Sequence, residues 1–535
     1  MKGDSIVKEI QMKNFRSLKD TGMQKLSPIT LLVGENSSGK STFLRAFPLL
    51  KQSISKRTSG PILWAGDIDD YVDFGSFEET VTNDKSSDIV FSYKFPLNVT
   101  DQTRMYRFYD EFSDVKYGIT NVNVCYEMTI TSEDGKDRVS NLALDINNYH
   151  VDFDLDNKTI ATAYGFYHKE SDPAAEGKKE TSRRGLFRRY WISSQTFNFV
   201  LPAFSEFYEE IYQNFPDSQE DEIDHFVLRE FIPTIGLALT NSDDISLLDK
   251  KTIKQKKLTL AYAGIYNRIV SVIQKDETGR LKELAKLLAI YDIFPVIDEY
   301  ISSYFNHVHY IAPLRATAER YYRLRNLAVD EVDYQGKNLP IFINSLTTPQ
   351  LKAFHAWTDE HFGFTVNTDK DKGHLSLQIK LHGSDKAINL SDTGFGYSQV
   401  LPIITQLWEL SSRNRTGAQR RVERNQRIPL VIAIEQPELH LHPAVQARLA
   451  KAFIACINLA RKNKCDIQLL LETHSETIVN YFGRAIARGL LKPDDVSVIL
   501  FEKGVDQSVT KVRNSGYDED GYLVNWPYGF FESED

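Results

Sequence analysis

Length, composition and charge narrow the class of this chain before any motif is considered. It has 535 residues, of which 41% are hydrophobic and 26% are charged, and its formal net charge at pH 7 is -9. This length exceeds what one ordinary core fills, so we expect a folded protein of two or more lobes. The negative charge argues against uniform coating of nucleic acid, so only local basic patches remain as candidate nucleic-acid sites.

Cysteine usage and hydropathy indicate the compartment. The three cysteines, Cys125, Cys456 and Cys465, show no Cys-x-x-Cys spacing, so we expect reduced thiols rather than a disulfide framework. The chain has no signal-peptide pattern and no apolar run near the roughly 18 residues of a membrane helix. We therefore predict a cytoplasmic protein that makes no membrane contact.

The N-terminal part carries a phosphate-binding motif. Apolar patterns at Ile6–Met12 and Ile29–Val33 predict two strands, and residues Gly34–Ser41 then read GENSSGKS, a complete G-x-x-x-x-G-K-S loop before a helical run. Loop N–H groups and the helix N-terminus bind phosphate oxygens, Lys40 reaches the β and γ phosphates, and the Ser41 hydroxyl ligates Mg²⁺. The predicted nucleotide-binding residues of the loop are Asn36, Ser37, Ser38, Gly39, Lys40, Ser41 and Thr42.

The middle of the chain is built differently. Short alternating runs from about Ile89 to Phe166 predict an antiparallel β lobe, and helical spacing between Phe197 and Tyr304 predicts a helical insertion without a coiled-coil arm. We place the boundaries at residues 1–90, 91–170, 171–347 and 348–535. The basic, aromatic stretch 177–191 is typical either of nucleic-acid binding or of a solvated loop.

The C-terminal part supplies three further elements. A Gly/Ser-rich turn at Ser391–Gln399 opens a helix, the apolar run Pro429–Ile434 ends in Glu435, and the strand Ile467–Leu471 leads through Glu472 to His474. The Lys40 loop already binds the phosphates of its own subunit, so we expect the turn to face another subunit. A plain helix cap is the alternative.

Phosphate loop, signature turn, acidic strand and histidine strand, in this order, resemble the ABC-type ATPase heads of SMC, RecF and OLD proteins. Met12–Leu18, Tyr310–Arg315 and Pro437–Pro443 strengthen the resemblance. The chain is similar, more narrowly, to ATPases of prokaryotic anti-phage systems such as Septu and certain retrons, as is its ending Asn525–Phe531. The resemblance implies an α/β fold: a P-loop ATPase head with a mixed sheet, an antiparallel β lobe and a helical insertion.

The resemblance also implies roles for single residues around bound ATP and Mg²⁺. Two chains would sandwich two ATP molecules, and the signature residues Gly396, Ser398 and Gln399 of one chain would face the γ-phosphate bound by Lys40 of the other. Arg16 joins the nucleotide-binding set. His474 corresponds to the switch histidine, although a satisfied polar residue at a strand end is the alternative. No glutamine follows the first helix where such ATPases carry a Q-loop, and Asp73 is a loose candidate for that position.

The acidic strand departs from the family pattern at one position. Glu435 corresponds to the carboxylate that binds Mg²⁺, whereas Gln436 stands where a glutamate usually activates water. An amide orients water but cannot accept its proton, and general-base help is typically worth about a hundredfold to ten-thousandfold. We therefore predict firm Mg-ATP binding with slow hydrolysis, unless Glu438 supplies the missing carboxylate.

Two functions remain open at this stage. After His474 only roughly 60 residues follow, fewer than an independent nuclease domain uses, so we expect a separate effector nuclease gated by this ATPase in anti-phage defence. A RecF-like DNA-binding ATPase in repair or recombination is the alternative. The arginine-rich segment 411–427 is either a nucleic-acid contact or a solvated connection. His440 and His442 lack a third ligand at metal spacing, so we expect a structural role for them.

Overall fold

The protein is described from a computed structural model. Its described residues are 7–56, 58–67, 70–82, 88–98, 121–155, 159–162, 239, 269–323, 329, 331–371, 373–412, 429–463, 465–503 and 510–527. The basic stretch 177–191, the arginine-rich residues 413–427 and most of the predicted helical insertion lie outside these ranges.

Strands and helices are numbered here in chain order over the described residues. The strands are β1 (Glu9–Phe15), β2 (Leu18–Asp20), β3 (Gln24–Lys25), β4 (Ile29–Gly34), β5 (Ile89–Asn98), β6 (Asn121–Glu133), β7 (Lys136–Ile146), β8 (Tyr149–Asp154), β9 (Thr159–Thr162), β10 (Val308–Ile311), β11 (Tyr322–Arg323), β12 (Phe364–Asp371), β13 (His374–Leu381), β14 (Ala387–Asn389), β15 (Leu430–Glu435), β16 (Ile467–Glu472), β17 (Val496–Lys503), β18 (Thr510–Tyr517) and β19 (Leu523–Val524). The helices are α1 (Lys40–Ser55), α2 (Phe77–Thr80), α3 (Arg280–Asn306), α4 (Leu339–Ser345), α5 (Thr348–Phe362), α6 (Phe395–Ser412), α7 (Pro443–Lys462) and α8 (Glu476–Ala487). Short 3₁₀ turns lie at Leu390–Asp392 and Pro493–Asp495.

A mixed sheet forms the centre of the ATPase part, with strand order β10-β15-β16-β4-β17-β18-β19. The first five of these strands are parallel to their neighbours, and β18 and β19 continue the sheet antiparallel. Strands β4, β15 and β16 are buried along their whole length. Strands of a parallel sheet are covered on both faces, which explains why these sequences are almost entirely apolar. The carboxyl ends of these strands meet at one edge, so Gly34, Glu435 and Glu472 come together there.

Both faces of the central sheet are covered. Leu32 of β4 packs in the core that includes Phe43 and Phe47 of α1, whereas Leu31 and Val33 face the core shared with the helices α6, α7 and α8. Alternate residues of a strand point to opposite faces, so one strand serves two cores. The α/β fold class with a mixed sheet is confirmed.

A second, antiparallel sheet has the order β2-β1-β5-β6-β7-β8-β9, with β3 paired to β1. The predicted β lobe of residues 91–170 therefore includes strands from the N-terminus, because β1 pairs with β5 across the expected boundary at residue 90. Strand β10 similarly lies in the central sheet although its residues fall within the predicted insertion of 171–347. The four domain boundaries stay predictions.

A small antiparallel sheet of β11, β12, β13 and β14 precedes the signature turn. Strand β14 leads through the 3₁₀ turn Leu390–Asp392 to α6, so this sheet adjoins the start of that helix. Over the part of the chain that the structure describes, no helix combines the length and apolar character needed to cross a bilayer.

Candidate functional site

The phosphate loop lies between β4 and α1, as its sequence predicts. Ser37 has a φ of 59° and Gly39 a φ of 91°, so the backbone turns sharply before the helix begins at Lys40. A Cβ at Gly39 would lie 2.8 Å from side-chain atoms of Ser17 and Leu18, which only glycine avoids. The loop therefore needs glycine both for its conformation and for its close contact with the N-terminal strands.

Lys40 is buried under the loop, with 3% of its surface exposed. Its ammonium donates hydrogen bonds to the carbonyl oxygens of Gly34, at 2.9 Å, and of Glu35. Burial lowers the pKa of Lys40, and the negative charges of Glu472 and Glu35 oppose that shift. The loop thus holds one cation at its centre, which suits the binding of phosphate oxygens.

A cavity of about 330 Å³ opens above the loop. This volume falls in the range of small-molecule sites, roughly 300–1,000 Å³. Its lining residues are Arg16, Ser17, Asn36, Ser37, Ser38, Gly39, Lys40, Ser41, Thr42, Gln436, Glu472 and His474. The cavity therefore brings together the predicted loop residues with Arg16, Gln436 and His474, and adds Glu472.

Glu435 ends β15 beside this cavity but is held by other side chains. Arg45 of α1 donates from Nε to Glu435 Oε1 at 2.7 Å and from Nη2 to Oε2 at 2.8 Å, and the Tyr310 hydroxyl donates to Oε1 at 2.7 Å. The Glu435 side chain is 2% exposed. The hydrogen bond and charge of Glu435 raise the pKa of Arg45 against the lowering effect of burial, and the contact ties α1 to β15.

Glu472 ends the neighbouring strand β16, and its Cα pairs with that of Glu435 in the sheet register. The Ser41 hydroxyl donates to Glu472 Oε1 at 2.7 Å. Glu472 Oε2 is buried without a hydrogen-bond partner among the described residues. Burial and the charge of Glu435 raise the pKa of Glu472 to about 7, against the lowering effect of Ser41 and Lys40.

Gln436 follows β15 in a left-handed conformation, with a φ of 42°. Its N–H donates to the carbonyl of Glu472 at 2.9 Å, and the buried Arg315 donates from Nη2 to the carbonyls of Glu435 at 2.8 Å and of Gln436 at 3.3 Å. These long-range bonds maintain a backbone conformation that a non-glycine residue otherwise avoids. Gln436 lines the cavity at this turn.

Glu438 is bonded to the loop after β16. Its Oε2 accepts from the Thr473 hydroxyl at 2.9 Å, and its Oε1 accepts from the His474 N–H at 2.7 Å. Burial raises the pKa of Glu438, and these two hydrogen bonds oppose the shift. Burial and the charge of Lys40 lower the pKa of His474, which keeps its imidazole neutral at pH 7.

Arg16 and Asp73 differ in how they relate to the cavity. The Arg16 guanidinium lines it and lies 4.6 Å from the ring centroid of Phe74. Asp73 instead accepts from the N–H groups of Gly66 and Gly75, and these bonds lower its pKa. The loose assignment of Asp73 to a Q-loop position stays a prediction.

The signature turn lies outside this cavity. Gly396 is close to the loop of His440 and Leu441, Ser398 is 5% exposed, and the Gln399 amide donates to the carbonyl of Arg315 at 3.3 Å. Gly396, Ser398 and Gln399 are not among the cavity residues within the described part of the chain. Gln399 is thus connected to the Gln436 turn through Arg315.

His440 and His442 lie at the end of the loop that joins β15 to α7. His442 accepts from the Ala444 N–H through Nδ1 at 3.2 Å and caps α7, while His440 has a φ of 62°. His442 thus makes a helix-capping contact, and the structural role expected for the two histidines stays a prediction.

The donor set of the cavity fits Mg²⁺. Magnesium prefers hydroxyl and carboxylate oxygens together with substrate phosphates. Ser41 and Glu472 provide such oxygens in the cavity, and Glu435 ends the neighbouring strand. Glu472 Oε2 is buried without a hydrogen-bond donor among the described residues.

Three contacts of this site were missed from the sequence. Arg45 bonds to the Glu435 carboxylate, Arg315 bonds to the Glu435 carbonyl, and Glu472 accepts from Ser41. Each of these contacts joins distant parts of the chain. The two acids Glu435 and Glu472 both end an apolar strand run, which was the one local signal that could have paired them. Arg315 ends the segment Tyr310–Arg315, which stands out in the sequence only because it resembles the ATPase heads.

Comparisons with known proteins give one family match. A family model described as "AAA ATPase domain" matches residues 6–479. No curated protein sequence matches the chain.

Solved structures align over almost the whole chain, but weakly. The SMC head bound to the C-winged helix domain of ScpA covers 96% of this chain and 98% of its own at 11% identity, with a TM-score of 0.33. The SMC head domain from Thermotoga maritima covers 95% and 98% at 10% identity, with a TM-score of 0.32. Alignments at these TM-scores have no bearing on the fold or function of this chain.

Proposed function

Because the chain belongs to the AAA ATPase domain family, whose model matches residues 6–479, we propose that it binds Mg-ATP in the Lys40 cavity and hydrolyses it slowly. The observation that supports this proposal is the set of groups in the cavity. Lys40, Ser41 and His474 line it together with an amide, Gln436, where a general base is expected. The protein would then act as a nucleotide-gated clamp rather than as a fast motor.

Each step of the proposed reaction uses a named group. Lys40 and the loop N–H groups bind the β and γ phosphates of the substrate. Ser41 and the adjoining carboxylates would hold Mg²⁺, which would neutralise charge on the phosphate oxygens. The Gln436 amide orients the attacking water, and the neutral His474 imidazole donates a hydrogen bond to the γ-phosphate.

Slow hydrolysis follows from the proton that Gln436 cannot accept. We assign Glu438 to holding the His474 loop, since both of its oxygens accept hydrogen bonds from Thr473 and His474. A carboxylate engaged in this way must break two bonds before it takes a proton from water. The missing base is then worth about a hundredfold to ten-thousandfold in rate.

The nucleotide site is tested by equilibrium binding of a fluorescent ATP analogue and by ATP turnover. Lys40→Ala should weaken binding by about tenfold or more, because a buried charged donor to phosphate is lost. Lys25→Ala is the matched control, since Lys25 forms an exposed ion pair with Asp494 away from the cavity. Turnover typical of fast ATPases that survives Glu438→Gln and is lost in Gln436→Ala would contradict the slow clamp.

We further propose that ATP brings two chains together, with Ser398 of one chain facing the γ-phosphate bound by the other. Gly396 and Ser398 are not among the residues that line the cavity of their own chain within its described part, which supports action on a second subunit. Ser398 is 5% exposed, so its hydroxyl must become accessible on assembly.

Sedimentation velocity with Mg-ATP tests this assembly. Ser398→Ala should weaken the ATP-dependent dimer and leave the ATP affinity of the single chain unchanged. Ser412→Ala, at the far end of the same helix, is the control, because its hydroxyl donates to the carbonyl of Trp408 within the helix. A wild-type chain that stays monomeric at saturating Mg-ATP contradicts the sandwich.

The role of the clamp is proposed from the resemblance to anti-phage ATPases. In this proposal the nucleotide-bound assembly restrains or licenses a separate effector nuclease. The alternative is a RecF-like ATPase that binds DNA in repair. Purification of the tagged chain from its native host separates them, since a stoichiometric nuclease companion supports gating, whereas salt-dependent DNA binding without a companion supports repair.

A further inference from the structure

Two carboxylates end neighbouring strands at the phosphate loop, and they differ in what they contact. Glu435 and Glu472 are register partners in the central sheet, both buried with 2% of their surface exposed. Only Glu472 lines the cavity. The family resemblance assigns Mg²⁺ to Glu435, so the contacts of the two side chains decide between them.

Glu435 already has an ion-pair partner in Arg45. Its two oxygens accept both arms of the Arg45 guanidinium, and Oε1 also accepts the Tyr310 hydroxyl. A bidentate pair of this kind is among the stronger side-chain contacts of a protein. Direct coordination of a cation by Glu435 would place that cation beside the Arg45 charge and break one of these bonds.

Glu472 has the complementary arrangement. Its Oε1 accepts the hydroxyl of Ser41, the loop residue that ligates Mg²⁺ in phosphate loops. Its Oε2 is buried and has no hydrogen-bond partner among the described residues. A buried carboxylate oxygen without a donor is costly, and a divalent cation at the cavity wall is a partner that removes the cost.

We propose that Glu472, together with Ser41, is the protein ligand of Mg²⁺, and that Glu435 with Arg45 ties α1 to the end of β15. This inference rests on the proposed Mg-ATP function. The proposal exchanges the roles expected for Glu435 and Glu472, because the metal carboxylate then comes from Glu472 at the end of β16 and not from Glu435 at the end of β15. Hydroxyl and carboxylate oxygens beside substrate phosphates are the usual ligands of Mg²⁺.

Manganese binding in the presence of a non-hydrolysable ATP analogue tests the proposal on the full chain. Mn²⁺ replaces Mg²⁺ in oxygen sites and reports its own binding by electron paramagnetic resonance. Glu472→Gln should lower the Mn²⁺ affinity by at least about tenfold, since loss of a residue that only supports a metal ligand already costs about that much. Glu435→Gln should retain the Mn²⁺ affinity but lower the melting temperature, because the Arg45 pair is broken.

Controls separate this proposal from the proposed function. Glu476→Gln changes an exposed carboxylate of α8 and should match the wild type in every assay. Should Glu472→Gln fail to fold, Glu472→Asp retains the charge on a shorter stem and should still weaken Mn²⁺ binding. Loss of Mn²⁺ binding in Glu435→Gln with full binding in Glu472→Gln overturns the exchange of roles. ATP affinity that is insensitive to Lys40→Ala overturns the nucleotide site, and this proposal with it.

Discussion

The substitution Gln436→Glu tests whether the amide is what limits hydrolysis. Glutamate has the same shape as glutamine, and the Gln436 backbone is held by Arg315 and by the carbonyl of Glu472 whichever side chain is present. The new carboxylate would therefore occupy the cavity position of the amide, where it can accept the proton of the attacking water. We expect faster ATP cleavage without a change of fold.

The structure sets the size of the gain. General-base help ranges from about a hundredfold to ten-thousandfold. A carboxylate at position 436 would share the cavity with Glu472, and repulsion between them reduces the gain, while the ammonium of Lys40 favours the new charge. We therefore expect about a hundredfold, which corresponds to a barrier lower by about 2.7 kcal/mol.

Single-turnover hydrolysis with enzyme in excess over ATP measures this step. Working under these conditions separates cleavage from product release, which often limits steady-state rates. Gln436→Ala is the control, because it removes the water contact without adding a base and should be slower than the wild type. An unchanged or reduced cleavage rate in Gln436→Glu, with ATP affinity and melting temperature retained, would refute the assignment of Gln436 as the limiting group.

Three further substitutions test how the site is held. Arg45→Met should lower the free energy of unfolding by about 2 kcal/mol in urea titrations, less than the roughly 3–5 kcal/mol of a fully buried pair because Arg45 is 38% exposed. Arg461→Met, in an exposed pair with Asp495, should cost less than about 1 kcal/mol, and an equal cost in both variants would contradict the role of Arg45. Gly39→Ala should weaken ATP binding by about tenfold, since a left-handed backbone costs about 1–2 kcal/mol with a side chain, and calorimetry that finds wild-type affinity would disprove this. Arg315→Lys loses the planar fork that binds two carbonyls and should slow single-turnover cleavage more than it weakens ATP binding, whereas the reverse order would indicate a role in the nucleotide pocket itself.

Part of the site was predictable because its geometry is local. The loop Gly34–Ser41 closes on its own backbone, so spacing alone identified the loop residues that line the cavity. The acidic and histidine strands were also recognisable, since each apolar run ends in a polar residue. The different contacts of Glu435 and Glu472 were not predictable, because both acids end similar strands and only their distant partners differ.

By itself, the sequence determined that this chain is an α/β protein with a phosphate loop, an acidic strand ending at Glu435 and an amide at position 436. Tertiary structure alone decided that β1 joins the antiparallel sheet, that Arg45 neutralises Glu435 and that Arg315 supports the Gln436 turn. The physical reason is the separation along the chain of the residues that interact. Loop conformation and strand burial depend on neighbouring residues, whereas ion pairs and carbonyl contacts join residues that are far apart in the chain and meet only when the sheet has formed.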